Sequence, residues 1–354
     1  MTRTSSKIFI SAALSAVLLV AMLLSGCVTG SSSSGAGGGA PRWVNDKDAV
    51  YPPDEFLAEV GEGDSLKGAK SNAAGAIAQI FRTRVQVDSR IRTRYTEITG
   101  EDGGTLGMST RTDVDQTIGQ SADESLSNLK FGESWQDSMG RVYAVAYLDR
   151  AETGNLYRQR IIENDQRVVE LLDRARAQDE PLRRYAFLDA AVVMAEVNEA
   201  LLAQLEIINM PMARSVMHPY ELGDVKAAKA DQASALKVRV EVSGDSDGRI
   251  AAVLSDWITD RGFSASERGD MFLSAVTSVT PVELNNDYEN LAWELNLSLI
   301  DSRGYPAVSL PRQSRSTGVS ASAAEERAFQ DMTEVVQKDF DREFTAYLTS
   351  FLEK

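Results

Sequence analysis

Hydrophobic positions change their period several times along the chain, and each change marks an element. Ile8 to Leu24 is an unbroken apolar, uncharged block. Val28 to Pro41 has no period at all and is Ser- and Gly-rich, the composition of a flexible tether. Tyr51-Pro-Pro53 then opens a folded segment, and Phe56 to Val60 is a short apolar run. Ala69, Ala73, Ala76, Ile77, Ile80 and Phe81 fall on one helical face, with Asp64 or Ser65 placed to cap its start. Because that face is mostly Ala, the helix is expected to lie close against a sheet. From Val85 the period reads as two, with Val85, Val87, Ile91 and Tyr95 on one side of an expected strand. Gly103-Gly104 is expected to turn the chain, and a further extended stretch is expected near 107–118. The segments 126–135 and 141–148 read as a hairpin joined by Asp137-Ser-Met-Gly140. The second of these is apolar on both faces, which predicts a central strand.

Residues 151–209 read as two long helices. Leu156, Ile161, Val168, Leu171 and Leu172 mark the first, which Pro181 breaks. Leu188, Val192, Ala195, Val197, Leu201, Leu205 and Ile208 mark the second, which Pro211 ends. Beyond residue 221 the pattern is strand (236–242), helix (248–261), strands (271–282 and 291–300), a third strand near 305–315, and a long final helix. Ser322-x-x-Glu325 is a capping box for that last helix, whose apolar stripe runs from Ala328 to Phe351 and reads as core. The class is α+β: two sheet-plus-helix units with an intervening long αα-hairpin. The expected divisions are a leader at 1–26, a tether at 27–50, a first α+β unit at 51–150, a helical hairpin at 151–220 and a second α+β unit at 221–354.

Composition removes several function classes. Of 354 residues, 37 are Lys or Arg and 52 are Asp or Glu, a net charge of −15. Such a chain repels nucleic acid, so no nucleic-acid partner is expected. One Cys and one His exclude disulfide staples, Cys/His zinc sites and Cys–His catalysis by count. No cofactor or metal is expected.

The single Cys stands where it has an address to give. Arg3 and Lys7 precede the apolar block, and Leu24-Ser25-Gly26-Cys27 closes it. This resembles the lipobox of bacterial lipoproteins. The resemblance implies a diacylglycerol thioether on Cys27, cleavage before it at a site recognised through Leu24, Ser25 and Gly26, and acylation of the new amine. Several acyl chains anchor durably where one does not. The alternative is an uncleaved anchor, but seventeen apolar residues barely span the ~30 Å of a bilayer core. Cleavage would remove two cations and take the net charge from −15 to −17. Val28, rather than Asp, follows the Cys, which by the same resemblance favours the outer membrane.

A second resemblance covers about residues 42–150. It rests on Pro41-Arg-Trp-Val44, Tyr51-Pro52, Phe56-Leu57, Val60-Gly61-x-Gly63-x-Ser65 and the Ala-rich helix ending Ile80-Phe81. It continues in Trp135, Gly140 and Val142-Tyr143-Ala144-x-Ala146-x-Leu148. In order these resemble the twenty-kilodalton lipoprotein (Lpp-twenty-like) family, to which flagellar assembly lipoproteins are related. The family implies an outer-envelope lipoprotein with a strand–helix–strand core and no catalytic residues.

Other groupings were weighed for chemistry. Gly63-Asp-Ser-Leu66 spells an esterase nucleophile block, but no base is placed to serve Ser65, so it reads as a turn and helix cap. Asp245-Ser-Asp247-Gly248 lacks the remaining ligands of a calcium loop and reads as a helix cap. His218 reads as a solvated linker residue. Arg82, Arg84, Arg90, Arg92 and Arg94 are all even-numbered, so a strand from Val85 would project them as one basic stripe. That stripe would bind an anionic polymer or a partner's acidic surface, or pair with Asp113, Asp115 or Glu133. The expected function is a non-enzymatic envelope lipoprotein with a structural or adaptor role, held to the bilayer through acylated Cys27 and joined to a protein partner. The alternative is a ligand-binding lipoprotein that regulates an envelope enzyme.

Overall fold

A computed structural model of the chain describes residues 39–85, 87–99 and 128–353. Leu24 to Cys27, the Gly103-Gly104 turn, the stretch near 107–118, and Asp113 and Asp115 lie outside them.

The first sheet has the order β1-β3-β2, all antiparallel, from β1 (Phe56–Gly63), β2 (Lys130–Gln136) and β3 (Val142–Asp149). The strand with two apolar faces is the central one, as its composition predicts. Helix α2 (Leu66–Arg82) starts where Ser65 Oγ accepts from Gly68 N at 3.1 Å. Its Ala face lies so close to β1 that a Cβ at Gly61 would run into the backbone of Ala69 and Ala73. The opposite face of the sheet is crossed by the incoming chain. Helix α1 (Arg42–Asn45) lays Trp43 there, buried, with Nε1 donating to Glu133 at 2.9 Å. Tyr51 follows it down onto Gly132, which has no side chain to hold the ring off.

The strand expected from Val85 is instead helix α3 (Ser89–Thr99), opened by Asp88 Oδ1 accepting from Arg90 N. Ile91, Tyr95 and Ile98 turn one helical face into the core. The αα-hairpin is present as α4 (Arg150–Arg176) and α5 (Pro181–Ala213). Glu180 caps α5 through Leu182 N and Arg183 N, with Pro181 in the first turn, where its missing N–H costs nothing. Pro211 breaks α5 rather than ending it, and Asn209 takes φ −151° and ψ 85°. The carbonyls of Ile207 and Ile208, left without helical donors there, accept from the Arg150 guanidinium at 2.8 and 2.6 Å.

Helix α6 (Leu222–Ala235), whose weak amphipathicity gave no signal, leads into the second sheet. That sheet runs β5-β4-β6-β7-β8, from β4 (Lys237–Ser243), β5 (Ser264–Ala265), β6 (Met271–Pro281), β7 (Glu289–Ile300) and β8 (Pro306–Gly318). β4 is parallel to β5 and β6, connected across helix α7 (Arg249–Asp260); the other pairs are antiparallel. The final helical stretch is α8 (Ala321–Glu334), a π turn at Val335–Phe340, and α9 (Asp341–Thr349). Ser320, not Ser322, caps it, accepting from Ala323 N. Its core positions Ala328, Met332, Val336, Phe340, Phe344 and Leu348 are spaced by four. In a pure α-helix that spacing drifts by about 40° per step; the wider π turn takes up part of the drift.

Two apolar cores result. α2, α3, β3, α4 and most of α5 build one, while the second sheet, α7, α8 and α9 build the other. The start of α5 (Leu182, Tyr185 and Ala186) belongs to the second, so one helix serves both.

Two glycines one helix apart should respond oppositely. Gly61→Ala is expected to cost about 3 kcal/mol, because backbone must move to admit the methyl. Gly75→Ala, in an open position of α2, is expected to add about 0.5–1 kcal/mol. Urea midpoints of the two variants check both signs.

Candidate functional site

Where the two cores meet, α3, α5 and α6 on one side and α7, the π turn and α9 on the other leave a cleft of about 1100 Å³. Its apolar surface comes from Ile91, Val192, Val193, Val253, Trp257 and Val336. Among the polar groups lining it is the buried Asp189 carboxylate of α5. Lys229 Nζ of α6 donates to it at 2.7 Å and Arg94 of α3 at 3.4 Å. Burial pushes this carboxyl up, but Lys229, Arg94 and the more distant Arg261 outweigh that and hold it below the ordinary carboxylate range. Burial likewise pulls Lys229 down, and Asp189 with Tyr185 overcomes it. Across the cleft, Asp341 Oδ1 accepts from Arg261 Nε at 3.0 Å and from Trp257 Nε1 at 2.9 Å. The Tyr185 hydroxyl, sealed beside Arg261, makes no well-formed hydrogen bond.

Nearly all the charge in the cleft is therefore already spent on neighbours. Glu97 pairs with Arg94, Glu196 with Lys226, Lys338 with Glu334, and Arg342 with Asp339. Arg90 on α3 and Asp256 and Asp260 on α7 line the cleft with no side-chain partner among the described residues. The two acids stand one turn apart near the C-terminal end of α7, where like charges repel and the helix dipole disfavours them.

The five arginines do not form the expected stripe, because their segment is helical. Arg82, Arg84 and Arg90 are exposed and Arg92 is half-buried. Arg94 is buried, and besides Asp189 it reaches the Thr345 carbonyl and the Thr349 hydroxyl of α9. It ties α3 to α5 and α9 and is unavailable to a partner, whereas Arg90 faces the cleft. The expected pairing of the stripe with Glu133 does not form either, since that carboxylate accepts from Trp43.

Asp189, Lys229, Arg261 and Asp341 were not singled out from the sequence. A signal for the first existed: it is the one charged residue in the otherwise uncharged run Tyr185 to Ala195.

His218 is not a solvated linker residue. Nδ1 lies 2.7 Å from Asp165 Oδ1 of α4, the ring stacks on Tyr220, and Asn198 Nδ2 of α5 donates to the same Asp165 oxygen at 2.9 Å. The hydrogen bond to Asp165 raises the imidazole pKa above its usual value, against the pull of burial. Ser65 and Asp245 serve as helix caps, Asp245 accepting from Arg249 N and Ala251 N. Among the described residues no cluster of three or more His, Cys, Asp or Glu is placed to hold a metal. None of their helices is long and apolar enough to cross a membrane.

No protein-family model and no curated protein matches the chain. Among solved structures, the secreted protein HP1454 of Helicobacter pylori is similar at 15% identity and a TM-score of 0.38, over 83% of this chain and 98% of that one. A minor lipoprotein of Acinetobacter baumannii is similar at 14% identity and a TM-score of 0.24, over 31% of this chain and 93% of that one.

Asp189→Ala leaves Lys229 and Arg94 buried without their counter-charge and is expected to cost about 3–5 kcal/mol in urea unfolding. Protonated His218 paired with Asp165 stabilises the fold fully below its unfolded pKa of about 6.5, and that contribution is lost as pH rises through the higher folded value. The urea midpoint should therefore fall with rising pH above about 6.5. Asp165→Asn should flatten that dependence, and the single imidazole resonance should titrate later than a free histidine.

Proposed function

We propose that the protein is an exported, lipid-anchored bacterial envelope lipoprotein. It acts without catalysis, as an adaptor that receives a partner in the cleft beside α3 and α7. Its address rests on Leu24-Ser25-Gly26-Cys27 and on the resemblance of about residues 42–150 to twenty-kilodalton lipoproteins. That reading places the anchor in the outer membrane, with the bilayer as one partner and an envelope protein as the other. Its mode of action rests on one observation. The cleft is lined by charges that satisfy one another, while Arg90, Asp256 and Asp260 on its walls have no side-chain partner among the described residues. Such a surface is preorganised, so a partner need not break internal pairs to bind. A second reading, a ligand-binding accessory to an envelope enzyme, draws on the same concavity, whose volume suits a molecule of drug size or larger.

Affinity capture from crosslinked membranes tests both halves. With Cys27 intact the protein is expected in the membrane fraction with a reproducible partner, and Cys27→Ala is expected to lose both. Arg90→Glu combined with Asp256→Lys is expected to keep the membrane fraction and lose the partner at least about tenfold, the size of one charge-assisted contact. A Cys27→Ala protein that still fractionates as integral would refute lipid anchoring. An unchanged partner set in the double variant would refute the cleft.

A further inference from the structure

The outer face of the first sheet is where the tether arrives, and its chemistry matches what lies at the tether's other end. Fourteen residues separate Cys27 from Arg42. A Ser/Gly chain of that length reaches about 20 Å on average. A compact body of the size of residues 39–354 is about 50 Å across. The far end of the tether is fixed at Trp43, which is buried on this face and bonded to Glu133.

The face is aromatic. Tyr51, Phe56 and Tyr147 form one cluster with ring centroids 5.1–5.7 Å apart, and Trp135 stacks on Tyr143 at 5.5 Å. All five remain half-buried, and Arg141 lies over the Tyr143 ring with its guanidinium carbon 6.0 Å from the centroid. The turn beyond Trp135 and Tyr143 ends in Met139, which is 78% exposed. Tyr and Trp rings, apolar with one polar edge, favour the headgroup layer of a bilayer. Three charged pairs lie around the face, while Glu62, opposite Tyr143, and Glu133 are exposed carboxylates in no ion pair among the described residues. Lys47 pairs with Glu59 at 3.1 Å, Arg141 with Asp137 at 3.1 Å and Lys130 with Glu152 at 2.6 Å. These pairs can approach a headgroup layer without separating, the two carboxylates can stay at its watery edge, and no basic patch among the described residues of the face calls for anionic lipid.

We propose that this aromatic face rests on the bilayer that holds the acylated Cys27, with Trp135, Tyr143 and Met139 in the layer of zwitterionic headgroups. The inference rests on the lipid-anchor reading above and adds to it a fixed orientation.

The test uses the lipidated full chain, purified from membranes and reconstituted in phosphatidylcholine vesicles. Acylation consumes the Cys27 sulfur, so Met139→Cys supplies a single thiol for a fluorophore. Val319→Cys, at a position 84% exposed between β8 and α8, supplies the reference. On vesicles, iodide quenching of the label at 139 is expected to fall about threefold or more, and a quencher carried on the lipid headgroup to reach it, with the label at 319 unchanged. Raising salt should leave this pattern intact. Hydrogen exchange of the unsubstituted 137–140 turn should slow on vesicles as well, a check that needs no variant. A label at 139 as open to iodide as that at 319, in protein that is anchored, overturns this inference alone. Protein with intact Cys27 that fails to hold to vesicles overturns the anchor reading and takes this inference with it. Shielding of 139 in the Cys27→Ala protein without lipid, accompanied by dimerisation, would assign the face to a second copy instead.

Discussion

Asp189 lies in a stretch of helix with almost no exposed side, and a charge in that position has to be answered from other elements. Lys229 answers from α6 and Arg94 from α3, and Arg94 extends the link to α9. Around one carboxylate, then, the first core, the second core and the last helix of the chain are brought to a common point. The apolar cores on either side supply most of the stabilisation, since hydrophobic burial dominates folding. They do not by themselves fix how one sits against the other. The buried charge does, because it tolerates only arrangements in which both cations arrive. The cleft is the space left around this meeting point, which is why the charges that build it are internally satisfied.

Much of this was legible in the sequence. The long helices announced themselves through sustained apolar spacing, and the hairpin through Asp137 to Gly140 between two alternating runs. β3 announced its central place by being apolar on both sides. What failed is instructive in physical terms. Ile91 and Tyr95 are four apart, a spacing that satisfies both the strand period of two and the helical period of 3.6. Only Ile98, at the next helical step, breaks the tie, and it turns Arg90, Arg92 and Arg94 from a stripe into a ring around α3, with Arg82 left at the end of α2. The charged cluster was illegible for a different reason. Lys229, Arg261 and Asp341 are ordinary surface residues by local pattern, and only the tertiary arrangement encloses them. His218 was misread in the same way, since Asp165, which lies 53 positions earlier, determines its surroundings.

The address and the body of the protein rest on different kinds of inference. Cys27 is a matter of local chemistry, read from four consecutive residues. The aromatic face and the cleft are products of folding, assembled from segments far apart. A lipid anchor sets where such a body resides but leaves it free to tumble, whereas a second, weaker contact would give it a top and a bottom. Any surface that must meet a partner then points in a set direction.

The way α4 holds the end of the chain bears on how the molecule is made. Arg174 donates to the carbonyls of Leu352 and Phe351, Arg183 lies over the Phe351 ring, and that ring is buried in the second core. Leu352 packs on the first core. β1 must also wait for β3, some eighty positions later, before it has a neighbour. Neither core is sealed by residues that emerge early. Both cores therefore close only when segments far apart in sequence have met, so folding of this body is governed by long-range contacts and lags behind the formation of its individual helices.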